Sequence, residues 1–254
     1  MSGYIEKGVI RLHEKVGTDI WRMQAELPRT AKDAKPGQFV HVSVNDASKL
    51  LRRPISIAGT DLVKGLVEII YRVVGEGTER LSRMNVGDTI DSLGPLGTSF
   101  SLNAAHIVGV GGGVGIAPIL FLAREALSGQ MTIVIGGRNK SEVFWKEFFP
   151  KNMRKLIVTT DDGSYGIKGF SVSVLPDILK KDNVDQVCVC GPSIMMRATA
   201  EIAHRLDVYC EVSMERRMGC GTGTCLACVC DKTKGGHYKV CLDGPVFDAS
   251  EVIL

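Results

Sequence analysis

No stretch of this chain stays apolar for the roughly 18 residues that a membrane helix needs, so no transmembrane segment is expected. The opening Met1-Ser2-Gly3-Tyr4-Ile5-Glu6-Lys7 lacks the apolar core of a secretory signal, and a cytoplasmic location is expected. A net charge of only +3 is too small to argue for nucleic acid or a membrane surface as a partner. Internal repeats and low-complexity stretches are missing. So are a Ser/His/Asp triad and a carboxylate pair, which removes the usual hydrolase chemistries. His13, His41, His106, His204 and His237 are scattered and read as strand-end or surface residues. No separate catalytic residue is expected. What remains is an ordinary globular composition, 44% apolar and 23% charged, on a chain of 254 residues that is long enough for two domains and a small appendage.

Cysteine is not scarce. Of eight, four form C-x4-C-x2-C-x12-C at Cys220, Cys225, Cys228 and Cys241. The first three spacings match the plant-type [2Fe-2S] loop, in which thiolates from one tight turn converge on two irons. Such a loop wants backbone N–H groups turned toward the sulfurs, and Gly219, Gly221 and Gly223 are expected to supply unusual φ/ψ values for it. Zinc also takes four cysteines, but its knuckles are paired C-x2-C units and only one stands here. A disulfide framework belongs to small secreted domains, and nothing in the chain suggests secretion. The spacing favours iron–sulfur over zinc. Cys230 is a fifth thiol nearby. On a strand leaving the loop it would share a face with Cys228 and be a neighbour, not a ligand.

Before about Leu102 the pattern is short strands and turns. Ile5–Leu12, Ile20–Leu27, Gln38–Val44, Pro54–Ala58, Leu66–Val74 and Thr89–Leu93 each read as a strand, with a helical turn near Glu79–Met84. Lys35-Pro36-Gly37, Asn45-Asp46, Asp61–Gly65 and Asn85–Asp88 carry the turn chemistry. A six-stranded antiparallel barrel over residues 1–98 is expected. The period then changes. Strands at His106–Val110, Met131–Ile135, Lys155–Thr160, Gln186–Cys190 and Val208–Val212 alternate with helices at Ile116–Leu127, Glu142–Phe148, Ser173–Lys180 and Ser193–Arg205. This is a parallel α/β domain over 102–209, with ligands expected beyond the carboxyl ends of its strands. Residues 210–254 form a small cluster-bearing domain.

The first strand-to-helix turn, Gly109-Val-Gly111-Gly112-Gly113-Val-Gly115, lets a backbone approach a pyrophosphate at a helix start. It matches the G-x-G-x-x-G fingerprint in no register, and close helix packing is its plainer explanation. Nucleotide binding is still favoured. In the barrel, Arg52-Arg53-Pro54-Ile55-Ser56 offers a bidentate phosphate clamp and a hydroxyl for a ring nitrogen. Tyr71-Arg72 and Gly75-Glu76-Gly77-Thr78 add a ring, a second cation and a turn. Each is weak alone.

Together, Arg53-Pro54-Ile55-Ser56, Gly77-Thr78, Gly111 to Pro118 and Cys190-Gly191-Pro192 resemble the ferredoxin–NADP reductase superfamily. With the C-terminal cysteines, and with Glu215-Arg-Arg-Met-Gly-Cys220 and Cys241-Leu-Asp-Gly-Pro-Val-Phe247, the whole chain resembles the electron-transfer subunits of dihydroorotate dehydrogenase B. That resemblance implies FAD on Arg53, Pro54, Ile55, Ser56, Ile70, Tyr71, Arg72, Gly77 and Thr78, the arginines on its pyrophosphate and Ser56 near the ring. It implies NAD on Gly111, Gly112, Gly113 and Gly115, with Cys190, Gly191 and Pro192 near the nicotinamide. It also implies a separate FMN-bearing catalytic subunit that oxidises dihydroorotate to orotate in pyrimidine biosynthesis, and a symmetric assembly of two copies of each chain is expected. The alternative is the small subunit of an NADH-dependent ferredoxin–NADP oxidoreductase, where the resemblance implies an aspartate near the first ligand position, here Cys220. Two features depart from the pattern: the extra Cys230, and Arg138 after the second strand, where a ribose-binding acid is expected. Arg138 and Lys140 could meet the 2′-phosphate of NADP, but NAD is favoured.

Overall fold

The computed structural model describes residues 3–44 and 50–254; the turn expected at Asn45-Asp46 lies outside the described residues. Strands β1 (Tyr4–Gly17), β2 (Ile20–Glu26), β3 (Phe39–Val42), β4 (Arg53–Asp61), β5 (Leu66–Arg72) and β6 (Thr89–Leu96) close a barrel in the order β1-β2-β5-β4-β3-β6. Period-2 alternation fills it: Ile10, Met23, Val40, Val42, Ile57, Ile69 and Ile90 form one buried cluster. β1 runs longer than its sequence pattern because it closes the ring. Its first half pairs with β6 and its second half with β2.

Two short helices sit at the barrel rim. α1 (Pro28–Asp33) has no apolar stripe and was not expected; Glu6 anchors its first turn, accepting from the Arg29 and Thr30 N–H groups at 2.9 and 2.8 Å. α2 (Glu76–Ser82) is the turn expected a few residues later.

The second half alternates β7 (Ile107–Gly112), α3 (Ile116–Glu125), β8 (Met131–Gly137), β9 (Lys155–Thr160), β10 (Ile167–Lys168), α4 (Leu175–Lys181), β11 (Gln186–Cys190), α5 (Ser193–Arg205) and β12 (Tyr209–Ser213). The helix expected over Glu142–Phe148 is instead two 3-10 turns, Lys140–Glu142 and Phe144–Phe148, with Trp145 buried beneath them. After a hairpin of β13 (Val229–Asp231) and β14 (His237–Lys239), β15 (Val246–Asp248) returns to the sheet. The order is β10-β9-β8-β7-β11-β12-β15, parallel throughout except for β15, which runs antiparallel to β12. The C-terminal segment is thus sewn into the central sheet. It also grips the barrel end, where Thr98 Oγ1 donates to the Val246 carbonyl at 2.9 Å and Thr98 N–H to that of Gly244 at 2.6 Å.

One buried carboxylate ties barrel to sheet. Glu68 on β5, whose side chain is only 4% exposed, accepts from Arg22 Nη2 at 2.6 Å, Gln24 Nε2 at 2.6 Å and Arg124 Nη1 of α3 at 2.8 Å. Burial alone would raise its pKa. The neighbouring Arg124 and Arg22 guanidiniums and Gln24 outweigh burial and hold it below the usual carboxylate value.

Candidate functional site

A cavity of about 240 Å³ opens between the barrel and the C-terminal segment. Pro54, Ile55 and Ser56 of β4, Ile70, Tyr71 and Arg72 of β5, and Thr78 of α2 line it, so seven residues marked from sequence come together. Arg53 and Gly77 stand at its edge and not in its wall. They pack on each other so closely that a Cβ on Gly77 would meet Arg53 Nε at 2.0 Å. The opposite wall was not foreseen. It comes from Phe39 and Val114 and, above all, from Ser213, Met214, Glu215, Arg216, Met218 and Pro245. Glu215, Arg216, Met218 and Pro245 stood in the sequence only as part of the stretches flanking the cysteines that carry the family resemblance, with no sign that they face the barrel.

A second cavity, of about 530 Å³, lies over the carboxyl ends of β7, β8 and β11. Gly112, Gly113 and Pro192 line it, with Arg138, Glu142, Asp161, Phe170, Ile194 and Met195 among their neighbours. Arg72 lines both cavities, and its buried Nε has no hydrogen-bond partner in the structure. The glycine turn divides its work. At Gly115 a Cβ would sit 2.6 Å from the Cys190 carbonyl carbon and the Gly191 nitrogen, so this glycine exists for close packing. Gly113 has φ +58° with nothing within 4 Å of its Cβ position, which leaves open space beside a backbone N–H at the start of α3. Gly111, Cys190 and Gly191 lie behind this surface. Burial, then the Glu215 carboxylate, push the Cys190 thiol up to about 12, so it is no thiolate nucleophile.

The cysteine loop follows the first cavity directly. Its sulfurs are knitted by backbone donors: the Thr222 and Cys225 N–H groups reach Cys220 Sγ at 3.4 and 3.5 Å, that of Gly223 reaches Cys241 Sγ at 3.2 Å, and that of Cys241 reaches Cys228 Sγ at 3.4 Å. Burial pushes the Cys220 thiol up, but the donors from Thr222 and Cys225 outweigh it and bring the pKa down to about 6. Gly221 and Gly223 take φ +73° and +80° as expected; Gly219 does not, and what it provides is room, since its Cβ would stand 3.2 Å from Cys225 Sγ. Gly221 also lies against the ring of His41, which is wholly buried on β3 and not a surface residue. Cys230, on β13, is buried in the hydrophobic core and its thiol is raised by burial. Among the described residues no three His, Cys, Asp or Glu side chains converge as one metal ion would require. A [2Fe-2S] centre makes a different demand, two thiolates on each of two irons with N–H groups aimed at sulfur, and the four-cysteine loop fits it.

Residues 215–253 match the iron-sulfur cluster binding domain of dihydroorotate dehydrogenase B. Residues 7–100 match the oxidoreductase FAD-binding domain, and 110–201 the oxidoreductase NAD-binding domain. The electron transfer subunit of dihydroorotate dehydrogenase B (NAD(+)) from Desulforamulus reducens is 37% identical across 100% of this chain and 99% of its own length. Its counterpart from Geobacillus kaustophilus is 43% identical across 87% of each chain. The chain belongs to the family of dihydroorotate dehydrogenase B electron transfer subunits. A solved structure titled as the NADH-dependent reduced ferredoxin-NADP oxidoreductase is 34% identical, with a TM-score of 0.84 over 97% of this chain and 89% of that one. A ferredoxin reductase of carbazole 1,9a-dioxygenase, 18% identical with a TM-score of 0.68, shares the fold.

The domains of an electron transfer subunit of this family therefore hold FAD, NAD and an iron–sulfur cluster. No helix among the described residues is long and apolar enough to cross a membrane.

Proposed function

We propose that this chain carries electrons from the FMN of a separate dihydroorotate-oxidising subunit to NAD+, through its own [2Fe-2S] cluster and FAD, in the cytoplasm. One observation carries the reading: a wall of the barrel cavity is built by Ser213 to Arg216 and Met218, which lead straight into the cysteine loop, so the flavin and cluster sites adjoin. When bound, FAD exchanges a hydride with a nicotinamide and single electrons with an iron–sulfur centre, so a chain holding both sites joins two-electron to one-electron transfer. The protein's own part is positioning. In this reading residues 1–98 hold FAD, 102–209 hold NAD and 210–254 hold the cluster. Ser56 and Tyr71 face the flavin ring, Arg53 and Arg72 take its pyrophosphate, Gly112 and Gly113 receive the dinucleotide, and Cys220, Cys225, Cys228 and Cys241 hold the cluster.

Arg53→Ala is expected to weaken FAD binding roughly ten- to a hundredfold, the loss of one charge-assisted contact. Flavin retention after gel filtration measures it. Unchanged retention would remove Arg53 from the site.

The tip of the cysteine loop, Thr224 to Ala227, is exposed, with Leu226 open at 60%. Of the other apolar residues in the segment, Val246, Phe247 and Val252 pack inward and Ile253 is 54% exposed. An open loop at a one-electron centre is where an outside donor docks. The partner is expected there, with two copies of each chain in the complex. Co-expression with the FMN subunit should give a stable complex by sizing, and that complex should reduce NAD+ in a dihydroorotate-dependent manner. A chain that stays alone beside the partner, or a complex without that activity, sinks the reading. The resemblance to the NADH-dependent ferredoxin–NADP oxidoreductase supports a second reading, and Cys220 with no nearby aspartate argues against it, since one is expected near the first ligand position in that group.

A further inference from the structure

A free guanidinium just beyond β8, where the adenosine ribose of a dinucleotide lies in sheets of this kind, would favour a 2′-phosphate. Arg138 occupies that place, but it is not free. Its Nε donates to Glu142 Oε1 at 2.7 Å, its Nη2 donates to the same oxygen, and its backbone N–H donates to Glu142 Oε2 at 2.9 Å. Both carboxylate oxygens are therefore turned onto one residue. The 3-10 turn Lys140–Glu142 makes this possible by folding the chain back; Asn139 caps it by accepting from the Ser141 N–H at 3.0 Å.

The carboxylate is the better-anchored member, 24% exposed against 76% for the Arg138 side chain. A second acid, Asp161 just after β9, lines the same cavity. The rim carries Phe170, 67% exposed, an open apolar ring of the sort a base can cover. Lys140, the other basic residue of the segment, is tethered through its backbone N–H to Ser164 Oγ at 2.8 Å and does not line the cavity. The acid that sequence order fails to put at the strand end is delivered four residues later by the fold.

We propose that Glu142 makes this site select NAD over NADP. Its carboxylate occupies the Arg138 guanidinium that would otherwise take a 2′-phosphate. With Asp161 it presents hydrogen-bond acceptors that suit a ribose 2′-hydroxyl, and the other cation of the cavity, Arg72, belongs in the proposed function to the FAD pyrophosphate. The inference rests on reading the second cavity as the dinucleotide site.

The test uses the full chain loaded with FAD and cluster. NADH and NADPH dissociation constants are measured by nicotinamide fluorescence for the unaltered chain, for Glu142→Gln, and for Glu142→Gln combined with Arg138→Ala, each held fully reduced without oxygen so that no hydride leaves the nicotinamide. Glutamine keeps the side chain's size, and circular dichroism checks that the fold is intact. The unaltered chain should prefer NADH. Glu142→Gln should tighten NADPH by about tenfold, one charge-assisted contact released to the ligand, while weakening NADH. Removing Arg138 as well should abolish the NADPH gain. The inference is overturned if Glu142→Gln leaves the NADPH constant unchanged, or if its gain survives without Arg138. An unaltered chain that binds neither nucleotide overturns the dinucleotide reading itself, and this inference with it. NADH binding with no shift in the variants overturns the inference alone.

Discussion

Cys228→Ser is expected to empty the chain of iron, from about two atoms toward none, while its flavin stays bound. Cys228 is the most deeply placed of the exposed loop's three thiols, and its sulfur already accepts the Cys241 N–H. A serine oxygen there is shorter, harder and protonated at neutral pH, so it offers iron neither the reach nor the charge of a thiolate. Cys220→Ser, Cys225→Ser and Cys241→Ser should behave alike. Cys230→Ser should keep its iron, because the N–H groups at the loop that reach sulfur serve Cys220, Cys228 and Cys241, while Cys230 sits beyond the loop on β13. FAD should survive in all of them, since the wall formed by Met214 and Pro245 is held by β15 and not by the cluster. Iron and acid-labile sulfide are measured beside flavin absorbance. Iron lost from Cys230→Ser and kept in Cys228→Ser would reverse the ligand assignment.

Glu68→Ala is expected to cost on the order of 3 kcal/mol of stability. The figure is the lower end for a broken buried pair, because Arg22 and Arg124 remain 19% and 28% exposed and can recruit water. The loss should also loosen the barrel against α3 and release flavin at lower denaturant, since Glu68 and Arg124 bridge the two. Urea titration followed by tryptophan and flavin emission separates the two effects. The pH dependence has a definite sign. The folded pKa lies below the unfolded value of about 4.3. The contribution is therefore present above that value and lost as pH falls through the lower folded one. The unaltered chain should lose stability across that acid window more steeply than Glu68→Ala. Equal slopes would mean that the carboxylate carries no net stabilisation.

Most of the barrel was legible because strands such as β2 bury alternate residues, as Met23 and Ala25 do, while β3 and β5, buried on both faces, read as short apolar runs. The parallel strands were legible as short apolar runs between turns. Segments without period were not. α1 has no apolar stripe, and β15 is the three residues Val-Phe-Asp, held as a strand by Glu211, Val212 and Ser213 alongside. That gap hid one wall of the barrel cavity, because Met214, Met218 and Pro245 reach it only when β15 is in place. His41 was misjudged for the same reason, since what covers it is the cysteine loop, distant in sequence. The cysteines themselves were legible because ligand spacing is a local property of the chain. The pairing of Arg138 with Glu142 needed the fold, as a run of charges says nothing about which ones meet.

The chain leaves the sheet at Ser213, makes its excursion through the cysteines, and re-enters at Val246 against the same strand. Both feet of that excursion are ladder hydrogen bonds, with no linker between them. A redox centre carried on a swinging tether can shuttle between donor and acceptor, trading speed for reach. Under the proposed function the centre would be a fixed relay, its distance to the flavin set by strand register, and gating of electron flow would come from the docking of the partner and not from travel within this chain.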